Sequence, residues 1–417
     1  MADPLLLGGV LIASFVAFNI GGSTTGPAFG PAIGANVLSK TTAGALMGGA
    51  FFVGAYTIGR RVVDTLGKEL VHDPSVFTLE ASIIVLFFIG GALLIGNLSG
   101  APASTSMTAV GAIIGLALAS GELNHAVIGE IFAWWILSPI IGFWLAVMIG
   151  RYGYQALDRF VAIEQSEGPL VVFENVNVGL RPVLRPDESR TIALERAEVQ
   201  LRPTLGPGTS RREFVGTVVL VTIGCLMAFS SGTSNIANAI APLVGSGALG
   251  MEAGIFIGCG AVAVGALTIA RRTMETLGND ITELPLTAAI VVAVLSSTIV
   301  IIMSMLGIPA SFVVVATVCI VGLGWGRSTS AVSVAEAVQG EVSPDVSLDA
   351  LAEESASLRV GEQSTGVSPV HGEDRHQPAQ SDLFDPGTTV RVILMQNVVP
   401  LLATIGSYLT FLVLNVV

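Results

Sequence analysis

The chain has 417 residues, of which 52% are hydrophobic and only 12% are charged, and its mean hydropathy is +0.77. That composition excludes an ordinary soluble domain, because a soluble core of this length does not need so much apolar sequence. The net charge of −12 argues against a nucleic-acid partner. Lys40 and Lys68 are the only lysines, and an acidic, lysine-poor surface suits a salt-rich cell. Several apolar runs reach the roughly 20 residues that cross a bilayer. We therefore expect an all-α polytopic protein of the plasma membrane.

Apolar and polar segments alternate in an order that divides the chain into two membrane halves. Residues 1–150 form the N-terminal transmembrane repeat, and a polar, arginine-rich linker follows at 151–213. Residues 214–326 form most of the C-terminal repeat. The acidic insert at 327–388 has too few large apolar residues to fold on its own, so we expect it to be disordered. Residues 389–417 form the last transmembrane helix of the C-terminal repeat.

The two halves contain an internal repeat. Residues 18–38 align without a gap with residues 229–249, so that Gly21 matches Gly232. Both segments lie inside apolar runs, yet they are rich in Gly, Ser, Thr, Asn and Pro. We therefore predict that each half contains a helix broken at membrane depth, because open backbone groups are tolerated there only against protein or a wet cavity. Two inverted-topology repeats with broken helices and re-entrant segments near the midplane are typical of secondary transporters, whose substrate site lies at the breaks.

Two duplicated motifs resemble those of the inorganic phosphate transporter (PiT) family. The family signature, GANDVANAFGTSVGSGALT, corresponds to GTSNIANA at 232–239 and, more loosely, to GGSTTGPAFG at 21–30. A second family motif, GLPVSTTHA, corresponds to GAPASTS at 100–106 and to GIPAS at 307–311. The resemblance implies that the Ser/Thr motifs cradle phosphate and that the signature Asp and Asn help to bind sodium.

The chain departs from the family pattern at the signature positions. The family's Asp falls on Thr24 in the first half and on Asn235 in the second. Its second Asn falls on Pro27 in the first half and is kept as Asn238 in the second. The chain is therefore identified as a divergent member, and the coupling ion, sodium or proton, stays open. The missing carboxylates also keep sulfate open as the substrate, because hydrogen phosphate has a proton to donate to an acceptor and sulfate has none.

The duplicated motifs supply many hydrogen-bond donors for a tetrahedral oxyanion. The expected substrate-binding side chains are Ser23, Thr24, Thr25, Ser104, Thr105, Ser106, Ser234, Asn235, Asn238 and Ser311. The glycines expected to let the backbone approach the anion are Gly21, Gly22, Gly100 and Gly232. Asn235 and Asn238 are also candidates for ion coupling. Glu80 is a third such candidate, although its place at the start of an apolar helix equally suits a partner for the helix dipole. The alternative for the whole set is that Gly, Ser and Thr only let membrane helices pack closely.

These features predict secondary active transport of inorganic phosphate by alternating access, with ion coupling. A sulfate permease on the same fold is one alternative, and a channel or a non-transporting sensor that uses the acidic insert is an alternative of another class. An enzyme, a cofactor or a metal site is not expected, because the sequence has no nucleophile–base set and no metal-ligand spacing. The expected partners are the inorganic anion and the lipid bilayer, and a homodimer stays open.

Overall fold

The structure, a computed structural model, describes residues 3–34, 38–98, 104–161, 171–176, 200–205, 211–268, 286–328 and 386–414. Gly100, much of the predicted linker and most of the predicted insert lie outside these residues. Within them the chain is helical apart from turns and a short antiparallel pair of strands, β1 (Val171–Val176) and β2 (Gln200–Leu205).

The helices follow the order of the two apolar halves. The first half contains α1 (Pro4–Gly34), α2 (Lys40–Gly54), α3 (Arg60–Asp64), α4 (Leu79–Leu98), α5 (Thr105–Ser120), α6 (His125–Met148) and α7 (Tyr154–Val161). Short π-helical stretches at Ala55–Gly59, Thr65–Glu69 and Ile149–Gly153 extend α2, α3 and α6, and a 3₁₀ turn lies at Pro74–Val76. The second half contains α8 (Arg211–Gly245), α9 (Met251–Thr268), α10 (Leu286–Met305), α11 (Phe312–Ser328) and α12 (Pro386–Leu414).

Eight helical segments in the described part of the chain are long and apolar enough to cross a membrane. One of them joins α2, α3 and their π-helical stretches into a single segment of 30 residues, Lys40–Glu69. By contrast, α5 and α11 have only 16 and 17 residues, fewer than the roughly 20 that a crossing requires. The predicted all-α polytopic class is confirmed.

The predicted helix breaks at 18–38 and 229–249 are wrong, because α1 and α8 run without interruption through these segments. Small polar residues are tolerated inside a continuous membrane helix when their hydroxyls bond back to its own carbonyls. Thr24 and Thr25 do so, donating to carbonyls four residues earlier at 2.7 and 2.6 Å. Among the described residues, an interruption lies instead at the second duplicated motif of the second half, where α10 ends at Met305 and α11 begins at Phe312.

The two halves pack on each other through matching pairs of helices. In one set α1 packs on α9 while α2 packs on α8, and in another α5 packs on α12 while α6 packs on α11. A Cβ added at Gly21 would collide with the carbonyl oxygen of Val262, and one added at Gly232 would collide with that of Phe51. Both partners of the first contact lie 211 positions from those of the second (21 to 232 and 51 to 262). The duplication is therefore carried into the helix packing.

Candidate functional site

A buried group of polar residues lies where the middle of α8 meets the start of α5 and the segment 307–311 that precedes α11. Its side chains are Thr105 and Ser106 from α5, and Ser234, Asn235 and Asn238 from α8. Ser106 and Asn238 are fully buried, and Ser234 and Asn235 are at most 5% exposed. We call these five residues the polar cluster.

Two serine hydroxyls join the three elements. The hydroxyls of Ser106 and Ser234 lie 3.3 Å apart, and each donates to the carbonyl oxygen of Ala310 at 2.8 Å. The backbone N–H of Ala310 in turn donates to the Ser234 hydroxyl at 3.1 Å. The segment 307–311 is therefore hydrogen-bonded to both helices.

The two amides of the cluster are engaged with their neighbours. The Thr105 hydroxyl donates to Asn235 Oδ1 at 2.7 Å, and Asn235 Nδ2 donates to the Ser231 hydroxyl at 2.9 Å. Asn238 Nδ2 contacts Asn235 Oδ1 at 3.3 Å and the Ser106 hydroxyl at 3.4 Å. Asn238 Oδ1 is buried and meets no donor in the described part of the chain. All five side chains of the cluster thus use their donors within the protein, whereas one acceptor remains unpaired.

The first turns of two helices face the same region. The Ser104 hydroxyl accepts from the N–H of Met107 at 3.2 Å, and the Ser311 hydroxyl accepts from that of Val314 at 3.4 Å. These contacts make Ser104 and Ser311 the N-caps of α5 and α11. The first N–H groups of a helix have no partner within it and mark the positive end of its dipole. Both helices therefore direct positive potential towards the cluster.

The expected ligands on α1 bond within their own helix rather than to the polar cluster. The hydroxyls of Ser23, Thr24 and Thr25 all donate to carbonyls three or four residues earlier in α1. In the second half, the positions that match Thr105 and Ser106 hold apolar residues, Phe312 and Val313. Among the described residues, the polar arrangement therefore belongs to one combination, α5 of the first half with α8 of the second.

Of the expected glycines, Gly21 and Gly232 lie at helix crossings, and Glu80 lies at an exposed helix start. Gly21 and Gly232 lie against carbonyls of α9 and α2, which is the close helix packing of the alternative interpretation. Gly22 is buried within α1, and Gly100 lies outside the described residues. Glu80 is exposed in the first turn of α4, a location that favours a partner of the helix dipole.

Sequence reasoning missed two participants. The Ser231 hydroxyl supports Asn235, and the main chain of Ala310 bonds both cluster serines. Ser231 could have been found, because it lies four residues before Asn235 and therefore on the same helix face. Ala310 contributes only its backbone, so its residue type carries no signal.

The polar cluster is electrically neutral. It consists of three hydroxyls and two amides, and the hydrogen bonds described above join them only to other hydroxyls, amides and main-chain groups. No group of three or more His, Cys, Asp or Glu residues that could hold a metal ion occurs in the described ranges. Hydroxyls, amides and helix N-termini can hold a small polar ion.

Comparisons with known proteins agree with this architecture. The profile of the phosphate transporter family matches residues 20–342. The sulfate permease CysP of Bacillus subtilis is 28% identical over 77% of this chain and 78% of its own length. A candidate phosphate permease of Pyrococcus furiosus is 26% identical over 80% of this chain and 90% of its own.

A solved structure of a sodium-dependent phosphate transporter has the same fold. It superposes with a TM-score of 0.63 at 17% identity, and the match covers 100% of both chains. The family resemblance predicted from the two duplicated motifs is thereby confirmed. The family match over both apolar halves and the eight apolar spans together show that this multi-pass membrane protein belongs to the phosphate transporter family.

Proposed function

We propose that this protein carries inorganic phosphate across the plasma membrane as a secondary active transporter that works by alternating access. The family match supports transport of an inorganic anion. In this proposal the polar cluster binds the anion together with the first turns of α5 and α11. Each half packs matching helices against the other, with α1 on α9 and α2 on α8. This pairing supports a rocking motion of one half against the other around the cluster.

The single observation that favours hydrogen phosphate is the unpaired acceptor Asn238 Oδ1. Hydrogen phosphate carries a proton near neutral pH and can donate it to this oxygen, whereas sulfate is fully ionised and cannot. A buried acceptor that is left unpaired costs about 1–3 kcal/mol, which corresponds to about a 5- to 150-fold difference in binding. An anion with a hydroxyl group is therefore preferred at this place.

Binding exchanges one set of hydrogen bonds for another. The hydroxyls of Ser106 and Ser234 now donate to Ala310, and that of Thr105 donates to Asn235. Rotation about the Cβ–Oγ bonds redirects these protons to the anion's oxygens, and the N–H groups at the start of α5 add further donors. The three hydroxyls therefore donate a hydrogen bond both without the anion and with it. None of these three donors is left unpaired before the anion binds.

The neutrality of the cluster argues for ion coupling. A divalent anion held among neutral groups would leave its charge uncompensated in a buried place, which is costly. A co-transported sodium ion or proton removes part of that charge. The side-chain oxygen of Asn235 is the proposed contact for a cation, since it is buried beside the hydroxyls of the cluster and the oxygen of Asn238 receives the anion's proton. The exposed position of Glu80 favours its dipole role over coupling.

Sulfate is the second candidate substrate. Two observations favour it: the sulfate permease among the relatives, and the absence of a carboxylate acceptor among the cluster's five side chains. Both candidates use the same place and differ only in whether Asn238 Oδ1 receives a proton.

Uptake into proteoliposomes tests the proposal. Labelled phosphate and labelled sulfate are each offered with and without a sodium gradient and with and without a proton gradient. We expect saturable accumulation that favours phosphate, and in Asn238→Ala a phosphate-over-sulfate preference reduced about 5- to 150-fold. Thr24→Ala is the control, because Thr24 lies at the position of α1 that matches Asn235 and, among the described residues, its hydroxyl donates to the carbonyl of Ile20 in its own helix.

Each other outcome has a distinct meaning. Preferential accumulation of sulfate would establish the second candidate instead. Flux that never exceeds the equilibrium distribution would indicate a channel. The absence of any uptake under all gradients would refute transport of both anions.

A further inference from the structure

The segment 307–311 has an irregular backbone whose polar groups are bonded to other elements. Helix α10 ends at Met305, and two residues later Gly307 has a φ of 79°, in the left-handed region. The N–H of Ile308 reaches back to the carbonyl of Met303 at 3.0 Å, which is the bond that closes a helix in a Schellman motif. Beyond this helix end, the main-chain groups of Pro309 and Ala310 are hydrogen-bonded to side chains of other elements.

Three hydrogen bonds to this segment come from two serines of the polar cluster, and a fourth comes from Trp135 in α6. Both backbone groups of Ala310 bond to cluster serines. Pro309 has no N–H, and its carbonyl oxygen accepts from the indole Nε1–H of Trp135 at 2.7 Å. The Trp135 ring is half-buried and meets the ring of Phe132 edge to face at 5.4 Å, which fixes the direction of its N–H.

We infer that Trp135 is a positioning residue for anion binding, which acts through Pro309 on the carbonyl and N–H of Ala310. This inference rests on the proposed function of the polar cluster. Trp135 belongs to the first half and Pro309 to the second, so the indole bond holds the two halves together beside the proposed site. The residue touches neither the anion nor the coupling ion. Its N–H sets where Ala310 lies and therefore how the hydroxyls of Ser106 and Ser234 are aimed.

The geometry explains why the N–H matters more than the ring volume. Without it, the carbonyl of Pro309 loses its donor, and the segment can relieve this only by moving. A displacement of about 1 Å at a binding site is enough to change binding or rate by about 100-fold. Because the anion contacts depend on Ala310, the effect falls on the KM for the anion rather than on the amount of folded protein.

Variants of two adjacent tryptophans test this role. We expect Trp135→Phe to raise the KM for the transported anion about 5- to 150-fold while Vmax per folded transporter changes less than about twofold. Trp134→Phe is the matched control, because Trp134 is a neighbouring, partly buried tryptophan that packs against the core. A purely structural role would lower Vmax and the yield of folded protein in Trp135→Phe and leave its KM unchanged.

A second variant covers the case in which Trp135→Phe does not fold. Replacing Trp135 with benzothienylalanine keeps the size of the ring system and removes only the N–H. The same rise in KM is expected from this variant. A wild-type KM in a folded benzothienylalanine protein would overturn the inference.

Hydrogen–deuterium exchange gives a readout that does not require transport. The N–H of Ala310 is protected by its bond to Ser234, so peptides that cover 307–314 should exchange faster in the Trp135 variants and at the wild-type rate in Trp134→Phe. Unchanged exchange in the Trp135 variants would also overturn the inference. If the wild-type protein carries neither anion, the proposed function fails, whereas the exchange result still decides whether Trp135 holds the segment.

Discussion

Replacing Gly232 with alanine is expected to destabilise the protein, because Gly232 lies at the closest crossing of α8 and α2. An added Cβ would collide with the carbonyl oxygen of Phe51, which is a backbone atom and cannot turn aside as a side chain could. The two helices must therefore separate by roughly 1 Å to restore a normal carbon–oxygen contact. Gly21→Ala should behave alike, because Gly21 makes the equivalent contact with α9.

The magnitude is the difference of two opposing effects. Overpacking a close contact costs about 1–3 kcal/mol, and the upper end applies here because the obstructing atom is part of a helix backbone. Alanine in place of glycine inside a helix contributes about 1 kcal/mol in the opposite direction. We therefore expect a net loss of about 2 kcal/mol for Gly232→Ala. Gly49→Ala in α2 is the control, since nothing lies within 4 Å of its added Cβ, and a gain of up to about 1 kcal/mol is expected.

The assay is the thermal unfolding of detergent-purified protein at one fixed scan rate, because membrane-protein unfolding is commonly irreversible and its midpoint depends on the rate. Gly232→Ala should lower the midpoint and Gly49→Ala should leave it unchanged or raise it. The crossings are separate, so the losses in the double variant of Gly21 and Gly232 should add. The reasoning is refuted if Gly232→Ala is as stable as Gly49→Ala, because the helices would then not be in close contact.

Two further predictions concern the polar cluster and the contact between the halves. Ser234→Ala leaves the buried N–H of Ala310 without its acceptor, so the affinity for phosphate should fall about 5- to 150-fold in the uptake assay. Ser23→Ala is the same change at the matching position of α1, and it should lower the affinity for phosphate less than about threefold. Equal losses of affinity in the two variants would contradict a site that uses α8 and not α1. The Arg60–Glu252 ion pair joins the halves at 2.7 Å, but its side chains are 33% and 57% exposed. A double-mutant cycle should therefore give a coupling of less than about 1 kcal/mol that shrinks with added salt, and a larger, salt-independent value would show that the pair is shielded.

The family and the membrane class could be predicted from the sequence because both depend on local properties. The length of an apolar run is set by consecutive residues, and the match of Gly21 with Gly232 is a matter of register alone. The same register then appears in the packing, where both glycines meet a carbonyl of the other half. All five residues of the polar cluster, Thr105, Ser106, Ser234, Asn235 and Asn238, were among the expected ligands, and their role in binding stays a prediction.

The positions of the helix interruptions could not be predicted from residue types. Gly, Ser and Thr in α1 and α8 suggested breaks, but a hydroxyl that bonds to a carbonyl four residues earlier permits an unbroken helix, as at Thr24. Whether such a hydroxyl turns back to its own helix or reaches another depends on what lies opposite. Thr105 faces Asn235 and bonds to it, whereas the Thr24 hydroxyl donates to a carbonyl of its own helix.

The sequence by itself therefore determined that the chain is a duplicated, multi-pass helical protein of a transporter family, because hydrophobic length and repeat register are written along the chain. Only the tertiary structure decided that the polar cluster lies between α5 and α8 and that Trp135 bonds to Pro309 beside it. The physical reason is that a buried polar group must find a partner, and the partners here lie 130 and 174 positions away.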